Sequence, residues 1–395
     1  MFSLAIDLLD RALSVEARRR SGFRPAPDGL QGIMPTPETW EEVGPGVAPL
    51  VWRREDPAVA GRGPAGVLVE QGLRISSLPH VNPDMDEHAR WLRLSDARMR
   101  TVRQAHWKLG LRAAFQRKLD ARMSVARLDG DTVLLGAYYP DCRNYFHFWV
   151  DAMCDFWFLR QCGLDPASVR HVLMPWNGAN WQEEIVRLCG IPRERVVPLS
   201  SADAFVLERA HVPVRVKGGT RNHDWIVEAL RQVSGWRLPE DLSGPARRLY
   251  VTRGGTPRRP LLNEPDVLDA MHPFGFEVID CASLSVAGQR ALFSQAEIVV
   301  APHGAGLVNM AWARPGTKLV EFMPRGHANP CFMDLCAQAG LVYRNIPSMA
   351  EEDGVEPLFA GFAVDPDRIA TVLRDLLGDP VSPAGPMSHR GATRS

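Results

Sequence analysis

Short apolar runs and longer stretches of helical periodicity alternate twice along this 395-residue chain. The first series places strands at 132–137, 169–174 and near Val196 and Val212, with helices at 146–161 and 181–189 between them. The second places strands at 248–252, 276–280, 297–301 and 319–323, with helices at 266–272, 285–294 and 307–312. A helix at 330–339, a strand at 341–346 and a last helix at 365–377 follow. Strands that alternate with helices predict parallel sheets, because a parallel pair needs a crossover connection and a helix supplies it.

The breaks in this pattern mark the boundaries. Residues 24–64 carry Pro25, Pro27, Pro35, Pro37, Pro45 and Pro49 without sustained periodicity, which predicts an extended, irregular arm. Residues 234–245 hold glycine, two prolines and few apolar side chains, the composition of a linker. The expected organisation is an N-terminal helix and arm over 1–65, a Rossmann-like domain over 66–240, a second over 246–378 and a disordered tail over 379–395.

Composition narrows the classes. A chain 45% hydrophobic and 23% charged is globular, and its net charge of zero argues against a nucleic-acid partner held by bulk charge. Seven cysteines, at 142, 154, 162, 189, 281, 331 and 336, contain no CxxC pair, which points to reduced thiols rather than a disulfide framework or a zinc site. No long apolar run or signal peptide is evident, so a cytoplasmic location is expected. Near the start, Phe2, Ile6, Leu9 and Leu13 fall on one helical face and Arg18, Arg19 and Arg20 follow. Such a helix either packs on its own domain or a partner, or rests peripherally on the inner face of an anionic membrane.

Three clusters carry chemistry. His303-Gly304-Ala305-Gly306-Leu307 joins an apolar strand directly to a helix start, where flexible backbone and unpaired N–H groups favour an anion such as phosphate. Arg247, Arg248, Arg253, Arg258 and Arg259 crowd around another strand, and Arg253-Gly254-Gly255 follows its carboxyl end, the place where open α/β sheets hold ligands. In the first half, His147, Asp151 and Asp155 share one helical face amid aromatic neighbours. That face supplies either a general base or a core histidine bonded to Asp151, and it is a poor metal site without a further ligand. A GxGxxG after a strand and a P-loop are both missing, which argues against a dehydrogenase or a P-loop enzyme.

The order Arg248-Leu249-Tyr250-Val251-Thr252-Arg253, Leu262-Asn263-Glu264, Gly275-Phe276-Glu277-Val278, Leu292-Phe293-Ser294-Gln295-Ala296, His303-Gly304-Ala305-Gly306-Leu307-Val308-Asn309 and Pro315-Gly316-Thr317 with Glu321 resembles glycosyltransferase family 61. The likeness reaches back to Asn144-Tyr145-Phe146-His147-Phe148-Trp149-Val150-Asp151, similar to the family's N-Y-Y-H-x-x-x-D, and spans 138–323. Cys154-Asp155 stands where the family has an apolar step, which leaves Asp155 outside the motif.

The resemblance implies a GT-B-like α/β fold, with two Rossmann-like domains facing across a cleft, the nucleotide-sugar on the C-terminal half and the acceptor on the N-terminal half. It implies inverting, metal-independent transfer of a sugar to a saccharide or glycan hydroxyl, with no cofactor beyond the nucleotide-sugar and a role in capsular or other surface polysaccharide. Arg253, Glu264, His303, Gly304, Ala305, Gly306, Leu307, Asn309 and Glu321 then form the donor side, and the base is either Asp151 or His147. The alternative is a noncatalytic nucleotide-sugar or carbohydrate-binding protein on the same fold.

Overall fold

The computed structural model describes residues 23–27, 30, 66–79, 90–95, 101–104, 124–136, 144–215, 222–239, 246–357 and 359–378. The expected N-terminal helix, most of the proline-rich arm and the expected C-terminal tail lie outside them. The described residues divide into two compact units, one formed by those between 23 and 215 together with 228–236, the other by 222–227 and those from 237 to 378.

The first unit is built on a mixed sheet. Its strands are β1 (Phe23–Pro25), β2 (Gly66–Pro79), β3 (Arg90–Ser95), β4 (Thr101–Gln104), β5 (Val125–Leu134), β6 (His171–Met174), β7 (Val196–Pro198) and β8 (Ala204–Val214). They run in the order β4-β3-β2-β8-β5-β6-β7, with β1 paired to β2. Strands β8, β5, β6 and β7 are mutually parallel, whereas β1 to β4 pair antiparallel, β2 doing so along β8. Only half of this sheet therefore has the Rossmann-like character expected of the whole. The side chains account for the split: Val172, Leu173 and Met174 in β6 are all fully buried, as a strand covered on both faces must be. In β2 fully buried Leu73 and Ile75 flank a half-buried Arg74, the one-sided pattern that suits antiparallel pairing.

Three of the described helices follow strands of the parallel half. Helix α1 (145–161) begins as an α-turn at Tyr145–His147, widens to a π-helix over Phe148–Met153 and returns to α over Cys154–Gln161. Asn144 caps it, its side chain accepting from the His147 amide at 3.2 Å. Phe148, Trp149, Met153, Phe156 and Phe158 bury its inner face. Helix α2 (Asn180–Leu188) links β6 to β7, and α3 (Ile226–Val233) carries the chain from the second unit back to the first.

The second unit holds a five-stranded, wholly parallel sheet of β9 (Arg247–Val251), β10 (Glu277–Ile279), β11 (Ala296–Pro302), β12 (Lys318–Met323) and β13 (Val342–Pro347). Its order is β10-β9-β11-β12-β13. The chain thus winds outward from β9 to β10, then crosses back to β11 and continues the other way, so a switch in winding direction falls between neighbours β9 and β11. Helices α4 (Glu264–Met271), α5 (Val286–Ser294) and α6 (Cys331–Ala339) make the crossovers, and α7 (Pro366–Leu377) closes the described chain. Tyr250, Ile298, Val300, Val320 and Phe322 pack on one face against Val267 and Met271 of α4 and Ile369, Val372 and Leu373 of α7.

The helix expected at 307–312 is a 3-10 helix over Ala305–Trp312. Asn309 explains the tighter winding: its amide donates to the Gly306 carbonyl at 2.9 Å while its carbonyl accepts from Trp312 Nε1 at 3.2 Å, so one side chain staples the turns. Strands β14 (Ala350–Glu351) and β15 (Phe362–Ala363) form a small antiparallel pair. No described helix is long and apolar enough to cross a membrane.

Candidate functional site

In the second unit the chemistry gathers at the carboxyl ends of β9 and β11. Arg253 follows β9, and one of its Nη1 hydrogens is donated to the His303 carbonyl just beyond β11, while Nη2 donates to the Arg258 carbonyl at 2.6 Å. The guanidinium thus ties the two strand ends together, and Nε, also buried, has no hydrogen-bond partner among the described residues. Burial, with a smaller contribution from Arg258, lowers the pKa of Arg253 to about 10, which leaves it a cation at neutral pH. Gly304 permits this approach through space, since its backbone is extended, with φ −174°, and a Cβ there would lie 2.6 Å from Arg253 Nη1.

His303 is held from behind. Its Nδ1 is 2.6 Å from Glu321 Oε1, and Tyr343 donates its hydroxyl to Glu321 Oε2, also at 2.6 Å. Burial, then Arg259 and Arg253, push His303 well below the usual imidazole range, so the ring is neutral. Burial raises Glu321 to about 8 against the lowering effects of Tyr343 and Arg259. With the acid protonated and the ring neutral, Oε1–H donates to Nδ1 and the ring's own hydrogen resides on Nε2. His327 and Phe332 pack near the imidazole, with ring centroids 5.5 and 5.1 Å away.

The remaining expected donor residues have supporting positions. Glu264 Oε1 accepts from Tyr250 and from Thr252, each at 2.7 Å, and Thr252 Oγ1 accepts in turn from the Gly254 amide at 3.1 Å. Glu264 therefore braces the Arg253-Gly254 turn through Thr252 and makes no pair with Arg253. Leu307 and Asn309 are buried, Asn309 also donating to Gln289 at 2.6 Å, and Glu321 is fully buried with both oxygens engaged. Ala305 and Gly306 open the 3-10 helix, Gly306 standing close to Cys281.

In the first unit, His147 Nδ1 lies 2.7 Å from Asp151 Oδ2 across one turn of α1. Arg215, just after β8, donates from Nη2 to Asp151 Oδ1 at 3.2 Å and from Nη1 to the Val150 carbonyl at 3.3 Å. Its Nε is 2.8 Å from Asp155 Oδ1, an ion pair whose angle falls outside hydrogen-bond geometry. Asp155 Oδ2 accepts from the Gly136 amide at 3.0 Å, which moors the helix to the end of β5. Burial opposes ionisation of Asp151, yet the hydrogen bond and charge of His147 and the charge and hydrogen bond of Arg215 outweigh it and hold the carboxyl below its ordinary range. His147, Asp151 and Asp155 do share a face, but along it the side chains pass from 28% to 17% to 0% exposed, so the set runs from the surface into the core and Asp155 is out of reach of a solute.

Residues 145–320 match the family described as Glycosyltransferase 61. Over that span the chain is similar to glycosyltransferase family 61. The matched region takes in α1 with its His147–Asp151 pair and the second unit from β9 to β12, including both strand ends described above. A glycosyltransferase acts between a donor and an acceptor substrate, and the mixed α/β architecture with parallel strands is compatible with a GT-B-like member of this family. No curated protein matches the chain significantly.

Three residues that the fold brings to these sites, Arg215, Tyr343 and His327, have no place in the sequence reading, and Arg259 stands there only as one of a run of arginines. Arg215 had one usable signal, its place immediately after an apolar strand. Tyr343 lies opposite Leu319 in the β12–β13 register and reaches Glu321 only through the pairing of those strands, which no local pattern announces. Among the described residues no group of three or more His, Cys, Asp or Glu is arranged to hold a metal ion.

Proposed function

We propose that this protein moves a sugar from a nucleotide-sugar to a saccharide or glycan hydroxyl, with inversion and without a metal, in the building of a surface polysaccharide. The observation that carries the reading is the meeting of Arg253 and His303 at neighbouring strand ends, where the winding of the parallel sheet reverses. That is the position at which open α/β sheets bind nucleotides. The diphosphate is held there by the Arg253 charge, the Nε2–H of a neutral His303 and the amides that open the 3-10 helix. Gly304, Ala305 and Gly306 let the backbone approach, while Glu264, Leu307, Asn309 and Glu321 keep the loop in shape.

Acceptor activation belongs to His147. Asp151 is a stabilised carboxylate already bonded to two partners and thus a weak base, but it fixes the imidazole with Nδ1–H towards itself, which makes Nε2 the acceptor atom of the ring. The acceptor O–H proton passes to Nε2, and the oxygen forms a bond to the anomeric carbon. The bond from that carbon to the phosphate oxygen breaks, and the nucleoside diphosphate leaves with the electron pair. On this reading the donor machinery belongs to the second unit and the acceptor machinery to the first.

Thermal-shift screening of nucleoside diphosphates and nucleotide-sugars, followed by transfer and hydrolysis assays on the best binder, tests the reading. Stabilisation with turnover supports it. Binding without turnover would favour a noncatalytic nucleotide-sugar-binding protein, and no stabilisation by any nucleotide would remove the donor site.

A further inference from the structure

Asp280 follows β10, the neighbour of β9, and its carboxylate is held by one oxygen. Oδ1 accepts from the Ala282 amide at 2.9 Å and the Asp280 carbonyl accepts from the Ser283 hydroxyl at 2.8 Å, so the turn after β10 fixes the group. Oδ2 makes no hydrogen bond among the described residues. It faces Gly254, where a Cβ would lie 3.9 Å away and where the backbone is left-handed, with φ 54°. The next residue, Cys281, places Sγ 3.4 Å from the position of a Cβ on Gly306. The turn after β10 thus borders both glycine turns, the one that carries Arg253 and the one that follows His303.

A carboxylate beside an anion site repels phosphate and has no hydrogen to donate, so what it can receive is a hydroxyl of a group attached to that phosphate. Glu321 is not available for this: it is fully buried and spends its two oxygens on His303 and Tyr343. In open α/β sheets an acid about 20 residues beyond the first glycine turn takes the ribose hydroxyls of a bound nucleotide. Here β9, the Arg253-Gly254-Gly255 turn, α4 and β10 form the first β-α-β unit of the sheet, and half-buried Asp280 stands 26 residues beyond Gly254 (280 − 254).

We infer that Asp280 receives the ribose hydroxyls of the donor nucleotide, Oδ2 accepting from one and the remaining lone pair of Oδ1 from its neighbour, and so makes the site select ribonucleotides. The inference rests on the reading of the β9 and β11 strand ends as the diphosphate site.

The test is calorimetric titration of the full-length protein with UDP, GDP, CDP and ADP, with the 2′,3′-dideoxy form of each, and with inorganic pyrophosphate. None of these carries the transferred sugar, so hydroxyl recognition is read on the ribose alone. The wild type is expected to bind its best ribonucleotide at least about tenfold more tightly than the dideoxy form. D280A should bind that ribonucleotide as weakly as the dideoxy form, while pyrophosphate affinity is kept. D280N retains an oxygen for the Ala282 amide and loses the acceptor at the other position, so it should keep only part of the preference, and it serves the same purpose should D280A fail to fold. Equal binding of both forms by the wild type would overturn the inference, as would a preference unchanged in D280A or D280N. A parallel fall of nucleotide and pyrophosphate affinity in D280A would also overturn it, by marking Asp280 as a brace of the Arg253 turn. Failure of the wild type to bind any nucleotide or pyrophosphate is a separate result, which removes the diphosphate site and the inference with it.

Discussion

Arg253 and Gly304 are neighbours by necessity: the guanidinium occupies the space that any side chain at 304 would take, 2.6 Å from Nη1. The contact joins two strands whose sequence positions are 51 apart (304 − 253) and sets the cation over the loop that opens the 3-10 helix. Gly304→Ala is therefore expected to displace the guanidinium rather than the backbone, because the obstructed group is the end of a flexible side chain. Calorimetric titration should show weaker binding of a nucleoside diphosphate, by about tenfold, in a protein that still folds. Unaltered affinity would separate the glycine from the anion site.

Arg253→Ala should cost more. It removes the cation and unties His303 and Arg258, so loss of a charge-assisted contact of about 1.5–3 kcal/mol is expected in nucleoside diphosphate affinity. The same titration measures it, and circular dichroism checks that the fold persists.

Asp151→Asn retains the shape of the side chain but takes the charge from beneath His147, and His147→Ala removes the base itself. Each is expected to lower turnover by about a hundredfold or more while donor affinity stays near wild type. Parallel loss of melting temperature and donor affinity in both variants would instead mark the pair as a packing element.

Glu321 predicts a pH dependence of stability. Its folded-state pKa is raised to about 8, above that of an unfolded glutamate, so its contribution is fully present below the unfolded value and is lost as pH rises through about 8. His303 has the opposite sign: its pKa is lowered, so its contribution is present above the unfolded imidazole value and is lost as pH falls. Glu321→Gln cannot ionise and should lose less melting temperature than the wild type between neutral pH and pH values above about 8. Thermal melts across that range decide it.

Transfer should survive chelation, since the proposed diphosphate site consists of a guanidinium, an imidazole N–H and backbone amides. Loss of activity in EDTA, with recovery on adding manganese or magnesium, would overturn that part of the mechanism.

The second unit was the more legible half of the sequence. Strands such as Ile298-Val299-Val300-Ala301 are apolar on both faces, which only a covered parallel strand needs, and the helices between them left little freedom in topology. The first unit was less so, because β2 and β8 pair antiparallel over a long stretch that joins segments far apart in the chain, which no local pattern announces. The π-turn was invisible for a simpler reason. Phe148, Trp149, Val150, Ala152 and Met153 are all buried, and a segment apolar on every side carries no period from which its winding can be read. Glu321 was legible in part: its place in the resemblance puts it on the donor side, whereas the strand turns it inward onto His303 and Tyr343, a contact that no local pattern announces.

The π-turn gives α1 one residue more than a uniform helix of the same rise would hold. Removing one residue from it would close the wide turn into a plain α-helix and leave both ends of α1 where they are, shortening no strand and opening no loop. What would change lies inside the turn: the carbonyl that Val150 offers to Arg215 and the spacing by which Asp151 and Asp155 both reach that guanidinium. A single extra residue thus acts as the spacer between the part of the helix moored at β5 and the part that carries His147.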